Sequence, residues 1–264
     1  MRHIPNIITL LNLLFGCLAI AFILEERILF HTFDSETYYP VMNFNKIYWG
    51  ALFIFLAALM DVFDGLAARV LNATSAIGKD LDSLADVVSF GVAPSMIIYK
   101  YIQLSYMAEP GAIDTPTLVV LPAFFIAMMG AVRLARYNQT AGASDTSFIG
   151  VPIPAVGIII ASIPLIAWYP SSFVLKTFPQ DYHFSMVFEN RWILYLISLV
   201  VGLLMVSKIR LFKWKPATWA ISDMWPHLIL LAVILIGGIL LHFLIVPLAF
   251  ILYVLLSLIY FKNK

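Results

Sequence analysis

An all-α bundle of about eight transmembrane helices, folded as one domain over residues 1–264, is the fold class this sequence predicts. Three observations predict it. Hydrophobic residues make up 62% of the chain and charged residues 12%, where a soluble domain carries about half and a quarter. The apolar residues fall in long runs, most of them near the ~20 residues that cross a bilayer. The charges gather between the runs. A net charge of +1 gives no reason to expect a nucleic-acid partner.

The first run, 7–24, has the look of a secretory leader but lacks a small-residue cleavage site before Glu25, and further spans follow it. It is expected to stay as the first helix. The single cysteine, Cys17, lies in this run, so an intramolecular disulfide is excluded and a packing role is expected. Further spans are expected at 47–71, 83–104, 117–137 and 151–169, the last opening on Pro152 and Pro154, ordinary residues for a helix start. A sixth follows at 191–207. The remaining stretch, 226–261, would be roughly 54 Å long as one helix, too long for a bilayer. Gly237, Gly238, His242 and Pro247 offer places to break it, so a C-terminal hairpin of spans 226–242 and 245–261 is expected.

Eight spans put both termini on one side. Eleven lysines and arginines fall on that side and five on the other, so the positive-inside rule places the termini in the cytoplasm and the protein in the cell (inner) membrane. Lys208, Arg210, Lys213 and Lys215, with Trp214 and Trp219, look like a juxtamembrane segment attracted to anionic membrane lipids. The far-side loops 25–46, 105–116 and 170–190 carry Asp34, Glu36, Asp114, Asp181 and Glu189 but no legible chemistry.

One segment breaks the apolar pattern. At 100° per residue, Asp61, Asp64, Gly65, Ala68 and Arg69 share one helix face, and Gly78, Asp82 and Asp86 share another after a short polar turn. Two adjacent helices then bring four carboxylates together near the cytoplasmic boundary. Left bare, each pair about 5 Å apart repels by roughly 3 kcal/mol at an effective dielectric near 20. Hard divalent ions, Mg²⁺ or Mn²⁺, relieve that repulsion with the oxygen ligands they prefer. Small residues between the acids let a bulky anion approach, and Arg69 adds a cation suited to phosphate. The set points to a diphosphate substrate and phosphoryl-type transfer. Salt bridging at a helix end suits Asp80, beside Lys79, but acids inside apolar helices suggest function.

The string Asp61-x₂-Asp64-Gly65-x₂-Ala68-Arg69-x₈-Gly78-x₃-Asp82-x₃-Asp86 resembles the full signature of the CDP-alcohol phosphotransferases. The resemblance implies a six-helix catalytic core that transfers a phosphatidyl or related group from a CDP-activated donor to an alcohol, releasing CMP. It implies two divalent ions on Asp61, Asp64, Asp82 and Asp86, with Asp86 also the general base. It implies donor contacts at Gly65, Ala68, Arg69, Ser75 and Gly78, with Asn6 and Thr9 in an N-terminal element near the nucleotide, and a homodimer. The opening IPNIITLLNLLFG, RLARYN at 133–138 and FIGVPIPA at 148–155 further resemble the membrane-embedded phosphatidylserine synthases, whose donor is CDP-diacylglycerol and whose acceptor is L-serine.

Serine is a zwitterion, and Arg133 or Arg136 could meet its carboxylate while Asn138 or a backbone carbonyl meets its ammonium. The same arginines would also serve as cytoplasmic charges ending the fourth span. Phe148, Pro152 and Pro154 could wall the site or simply begin the fifth helix. A phosphorylated acceptor, glycerol 3-phosphate or an inositol phosphate, would call for more basic residues than this segment offers; choline is another alternative within the family. From another class, a cation transporter could use four carboxylates, but it needs no nucleotide-shaped gap.

Overall fold

A computed structural model of the protein describes residues 4–26, 28–34, 37–42, 45–71, 75–107, 109, 115–140, 147–168, 190–212 and 221–262. It is a helical membrane bundle. Helix α1 spans Ile4–Glu25 and α2 spans Asn45–Val70. Between them, strands β1 (Ile28–Asp34) and β2 (Thr37–Met42) pair antiparallel, so most of the far-side segment expected to be a plain loop is a β-hairpin. Helix α3 (Ala76–Asp86) passes through a π-helical segment, Val87–Val92, into α4 (Ala93–Met107), and the three form one rod of 32 residues. The short α5 (Thr117–Val120) and a 3₁₀ turn at Leu121–Phe124 lead into α6 (Phe125–Thr140). Strand β3 (Ser147–Ile149), α7 (Ile153–Trp168), α8 (Arg191–Val206) and strand β4 (Arg210–Phe212) follow. Helices α9 (Ile221–Leu241) and α10 (Ile245–Lys262) close the chain, separated by a 3₁₀ turn at His242–Leu244.

Local chemistry sets these boundaries. Ser75 is extended and its hydroxyl accepts the amide of Gly78 at 3.0 Å. That cap lets α3 begin seven residues before the apolar run expected at 83, because a capped first turn tolerates the polar Lys79, Asp80 and Asp82. Asn190 caps α8 in the same way, accepting the amide of Trp192 at 3.0 Å. The break between α9 and α10 falls at His242, whose φ of 49° takes it out of the right-handed helical region.

The main core is built by α1, α2, α4, α6, α7 and α8, around Ile23, Ile54, Phe90, Ile97, Tyr101 and Ile160. Small residues bring the helices close. A Cβ at Gly16 would lie 2.3 Å from Ser89 Oγ, and one at Gly157 would lie 3.0 Å from Phe90 Cα. At the end remote from the aspartates, Lys100 Nζ donates to the carbonyl of Glu26 at 2.8 Å, and the Glu26 carboxylate accepts the amide of Lys46 at 2.9 Å, tying α1, α2 and α4 together. The outer faces carry exposed Leu14, Leu199, Ile239 and Leu255, as expected of helices that face lipid. Cys17 is on this outer face, so the packing role expected for it is not what the structure gives. Lys213, Trp214, Lys215, Trp219, Glu36, Asp114, Asp181 and Glu189 lie outside the described residues.

Behind the main core a smaller cluster joins β4 to the last two helices through Phe212, Leu230, Ile245 and Leu256. Phe212 stacks near both His227, early in α9, and Tyr260, late in α10, so the two helices run antiparallel. Strands β3 and β4 pair antiparallel with Phe148 opposite Leu211. The amide of Gly150 donates to Ile209 at 2.9 Å and that of Val151 to Leu204 at 3.2 Å. This strap fixes the entry to α7 against the exit from α8.

Candidate active site

Asp61 and Asp64 sit one turn apart on α2, and Asp82 faces them from α3. One oxygen from each lies within 4.8 Å of the other two. Asp64 is buried, and Asp61 and Asp82 are half-buried. Among the described residues the ion pairs are Lys46–Glu25 and Arg191–Glu109, so no lysine or arginine neutralises the cluster. Asp82 Oδ1 is buried and meets no donor among the described residues. An orphaned buried carboxylate oxygen is costly. Each pair at this spacing repels by roughly 3 kcal/mol at an effective dielectric near 20. Both costs vanish if cations occupy the gap, and all-oxygen carboxylate donors suit hard divalent ions. The residues present fit such ions.

Asp86 lies one turn beyond Asp82 and deeper, with 6% of its surface exposed. It is outside the group of three but within electrostatic reach of all of them. The amide of Asn12 on α1 donates to Asp86 Oδ1 at 3.5 Å. Asn12 is fully buried, and its own backbone carbonyl accepts Ser89 Oγ at 3.0 Å. Thr9 lies one turn before Asn12. Its hydroxyl sits 2.8 Å from Asp64 Oδ2 and 3.0 Å from the carbonyl of Pro5, and its single proton serves one acceptor at a time. The π-helical segment begins at Val87, immediately after Asp86, a place where such widened turns often mark function.

A cavity of about 530 Å³ opens beside the carboxylates, lined by Asn6 and Thr9 of α1, Asp64, Gly65 and Ala68 of α2, and Ser75, Gly78 and Asp82 around the α3 start. Gly65 has nothing within 4 Å of where a Cβ would stand, which leaves the helix surface beside Asp64 open. At Gly78 a Cβ would lie 3.0 Å from Ser75 Oγ and 3.1 Å from Asn6 Oδ1, so the missing side chain keeps both polar groups at the wall. Seven residues expected near the donor are Asn6, Thr9, Gly65, Ala68, Arg69, Ser75 and Gly78, and six of them line this cavity. Arg69 does not: it is exposed, on the same helix.

The residues expected near the acceptor separate. Arg133 on α6 is buried, at 8% exposure, with its guanidinium 5.8 Å from the centre of the Tyr137 ring. It lies within electrostatic reach of Asp86 and Tyr253, and its Nε has no hydrogen-bond partner among the described residues. Arg136 is exposed and donates to the carbonyl of Val206 at 3.4 Å, near the end of α8. The side-chain amide of Asn138 donates to Ser83 Oγ at 2.8 Å, and the backbone carbonyl of Asn138 accepts Lys79 Nζ at 3.1 Å. These bonds fasten α6 to α3. Asn12 escaped sequence reasoning, although its place one turn after Thr9 on the same face was a usable signal.

Residues 2–204 match the sequence model of a family described as CDP-alcohol phosphatidyltransferase. A Helicobacter pylori (strain ATCC 700392 / 26695) protein named CDP-diacylglycerol–serine O-phosphatidyltransferase is 32% identical over 234 residues, 88% of this chain and 81% of that one. A Bacillus subtilis (strain 168) protein of the same name is 36% identical over 160 residues, 61% of this chain and 74% of its own. An archaetidylserine synthase of Methanothermobacter thermautotrophicus is 35% identical over 120 residues, 45% of this chain and 47% of its own.

Proposed function

The chain belongs to the CDP-alcohol phosphatidyltransferase family, and from that premise we propose that it transfers the phosphatidyl group of CDP-diacylglycerol to the hydroxyl of L-serine, giving phosphatidylserine and CMP. The observation that carries this reading is the meeting of Asp61, Asp64 and Asp82 beside an open cavity, with Asp86 buried behind them.

The nucleotide lies along Asn6, Thr9, Ser75 and Gly78, and its diphosphate crosses the open face of Gly65 and Ala68. Asp61, Asp64, Asp82 and Asp86 would hold two divalent ions, Mg²⁺ or Mn²⁺. Bound there, such ions neutralise diphosphate charge and stabilise the negative charge that develops on transfer. Asp86 takes the proton of the serine hydroxyl as the new P–O bond forms. The bond from that phosphorus to the bridging oxygen breaks, and its electron pair leaves with CMP. Thr9 steadies Asp64, and Asn12 steadies Asp86. A carboxylate is a weak base for an alcohol in water; it suffices where the proton departs as the phosphorus bond forms. Arg69 acts from the rim, meeting the donor from the exposed flank of α2.

Serine is favoured as acceptor by Arg133. It is a single buried cation beside Asp86 with an unused donor, which suits one carboxylate. A phosphorylated acceptor would ask for several cations, and the other buried one among the described residues, Lys100, is engaged at the opposite end of the bundle. Arg136 and Asn138 support the wall by holding α6 to α8 and α3. The enzyme is placed in the inner membrane with both termini and the aspartates toward the cytoplasm, as the charge distribution favours, and is proposed to work as a homodimer.

The test is acceptor dependence. Purified protein with Mg²⁺ or Mn²⁺ is expected to release CMP from CDP-diacylglycerol in proportion to added serine. Release that follows glycerol 3-phosphate, inositol phosphate or choline but ignores serine would refute the acceptor.

A further inference from the structure

Asn12 leaves one atom unaccounted for. The residue is fully buried, yet its side-chain oxygen Oδ1 meets no donor among the described residues. Its other groups are committed: Nδ2 donates to Asp86 Oδ1 at 3.5 Å, and the backbone carbonyl accepts Ser89 Oγ at 3.0 Å. An ionised carboxylate only accepts, so the nitrogen is the atom that turns to Asp86. The two helices are locked here, since a Cβ at Gly16, one turn on, would lie 2.9 Å from Ser89 Cα. A planar amide keeps its oxygen about 2.3 Å from its nitrogen, so a bare acceptor stands within ~6 Å of Asp86 Oδ1. Thr9, one turn before Asn12 on α1, lines the cavity, which puts this acceptor one turn deeper than the cavity wall. A buried carbonyl without a donor is costly, and a bound donor removes that cost.

The opposite flank carries the complementary deficit. Helix α6 runs antiparallel to the α3–α4 rod. A Cβ at Gly91 would meet Ala127 Cα at 3.3 Å, and towards the start of α3 the Asn138 side chain bonds Ser83. That register sets Arg133 level with Asp86, and Arg133 Nε is a buried donor with no acceptor among the described residues. Asp86 stands between an unused acceptor on α1 and an unused donor on α6.

We propose that Asn12 Oδ1 receives the ammonium group of an α-amino-acid acceptor, which makes Asn12 the residue that separates such acceptors from plain alcohols. An ammonium carries three protons and no lone pair, so it suits an oxygen that nothing else uses. In serine the hydroxyl and the ammonium sit on adjacent carbons, and one reaches Asp86 while the other reaches Asn12. Choline has no N–H to give and glycerol 3-phosphate has no cation, so neither fills this place. Asn138, expected to take the ammonium, is held to Ser83 and Lys79 where α6 meets α3. The inference rests on the reading that Asp86 takes the proton of the acceptor hydroxyl.

The experiment compares the full-length protein with Asn12→Leu, which keeps the volume and removes both polar atoms, and Asn12→Asp, which keeps an acceptor and removes the donor. Asn12→Ala repeats the first reading with a smaller side chain. The quantities are kcat, KM for serine, KM for CDP-diacylglycerol, and the inhibition constant of 3-hydroxypropanoate, which is serine without its ammonium. Asn12→Leu is expected to raise the serine KM about tenfold or more, the loss of one charge-assisted hydrogen bond. The 3-hydroxypropanoate constant and the donor KM are expected to stay within about twofold, the split of lost ammonium binding. Asn12→Asp is expected to lower kcat while its serine KM stays within about threefold of wild type. If Asn12→Leu weakens serine and 3-hydroxypropanoate alike, or lowers kcat alone, Asn12 merely positions Asp86 and the inference is overturned. A serine KM that rises as far in Asn12→Asp as in Asn12→Leu overturns it too. Wild-type protein whose CMP release ignores serine refutes the proposed function itself, and this inference with it. Wild-type protein that uses serine, beside variants with an unchanged serine KM, overturns this inference alone.

Discussion

Asp86 differs from the other three aspartates in depth, in its partner and in its place at the head of the widened turn, and those differences suit it to proton transfer. Asp86→Asn keeps the shape and the Asn12 contact but removes the proposed base. It is expected to lower kcat by about 10³-fold, within the range general-base loss produces, while the donor still binds; stopped turnover with retained CDP-donor binding checks this. Thr9→Val removes the 2.8 Å bond to Asp64 without changing volume. A hydrogen bond to a carboxylate is worth about 1.5–3 kcal/mol, so activity should fall roughly tenfold or more, with the loss eased at higher Mg²⁺ or Mn²⁺. The aspartates were legible in the sequence because their spacing is helical and their setting apolar. Choosing between Arg133 and Arg136 was not, because both lie near the same helix end. Depth favours Arg133 in the proposed site, and depth comes from α4, α7 and α8 packing around α6, a long-range fact that local periodicity does not carry.

At the level of elements, Gly150 is the joint between strap and helix. Its φ is +72°, and a Cβ there would stand 2.2 Å from the carbonyl oxygen of Met205. The left-handed backbone alone costs a side chain about 1–2 kcal/mol, and the overlap with backbone adds to it. Gly150→Ala is therefore expected to lower thermal stability in detergent clearly, and a melting curve beside that of wild type reads the shift. Span positions were legible to within a few residues, as with 47–71 against Asn45–Val70, since apolar runs mark where lipid or core is faced. The start of α3 was not, because a serine cap rather than hydrophobicity begins it. The hairpin of β1 and β2 left no legible mark in the far-side loop.

Across the whole molecule, the site is assembled from three helices that the chain visits first, and later helices wall it. Stripping divalent ions with a chelator is expected to abolish CMP release, and Mg²⁺ or Mn²⁺ to restore it while Ca²⁺, larger and less demanding of octahedral order, does so poorly. A reporter fused after Lys264 should give a cytoplasmic signal; a signal from the opposite side would refute the orientation. The helices within residues 2–204, the stretch that matches the family, were foreshadowed by the signature. The packing of the last hairpin on β4 through Phe212 was not, because its sequence is nearly featureless apolar residue and Tyr253 is one aromatic among many. The widened turn at Val87–Val92 has a consequence for how this protein can vary. A π turn holds one residue more than the α turn it replaces, so it works as a phase shifter between the two ends of the 32-residue rod. Deleting Val88 would let the rod close into continuous α-helix and swing Asp82 and Asp86 by about 100° relative to the membrane half. Such a chain is expected to insert and fold with its carboxylates dispersed.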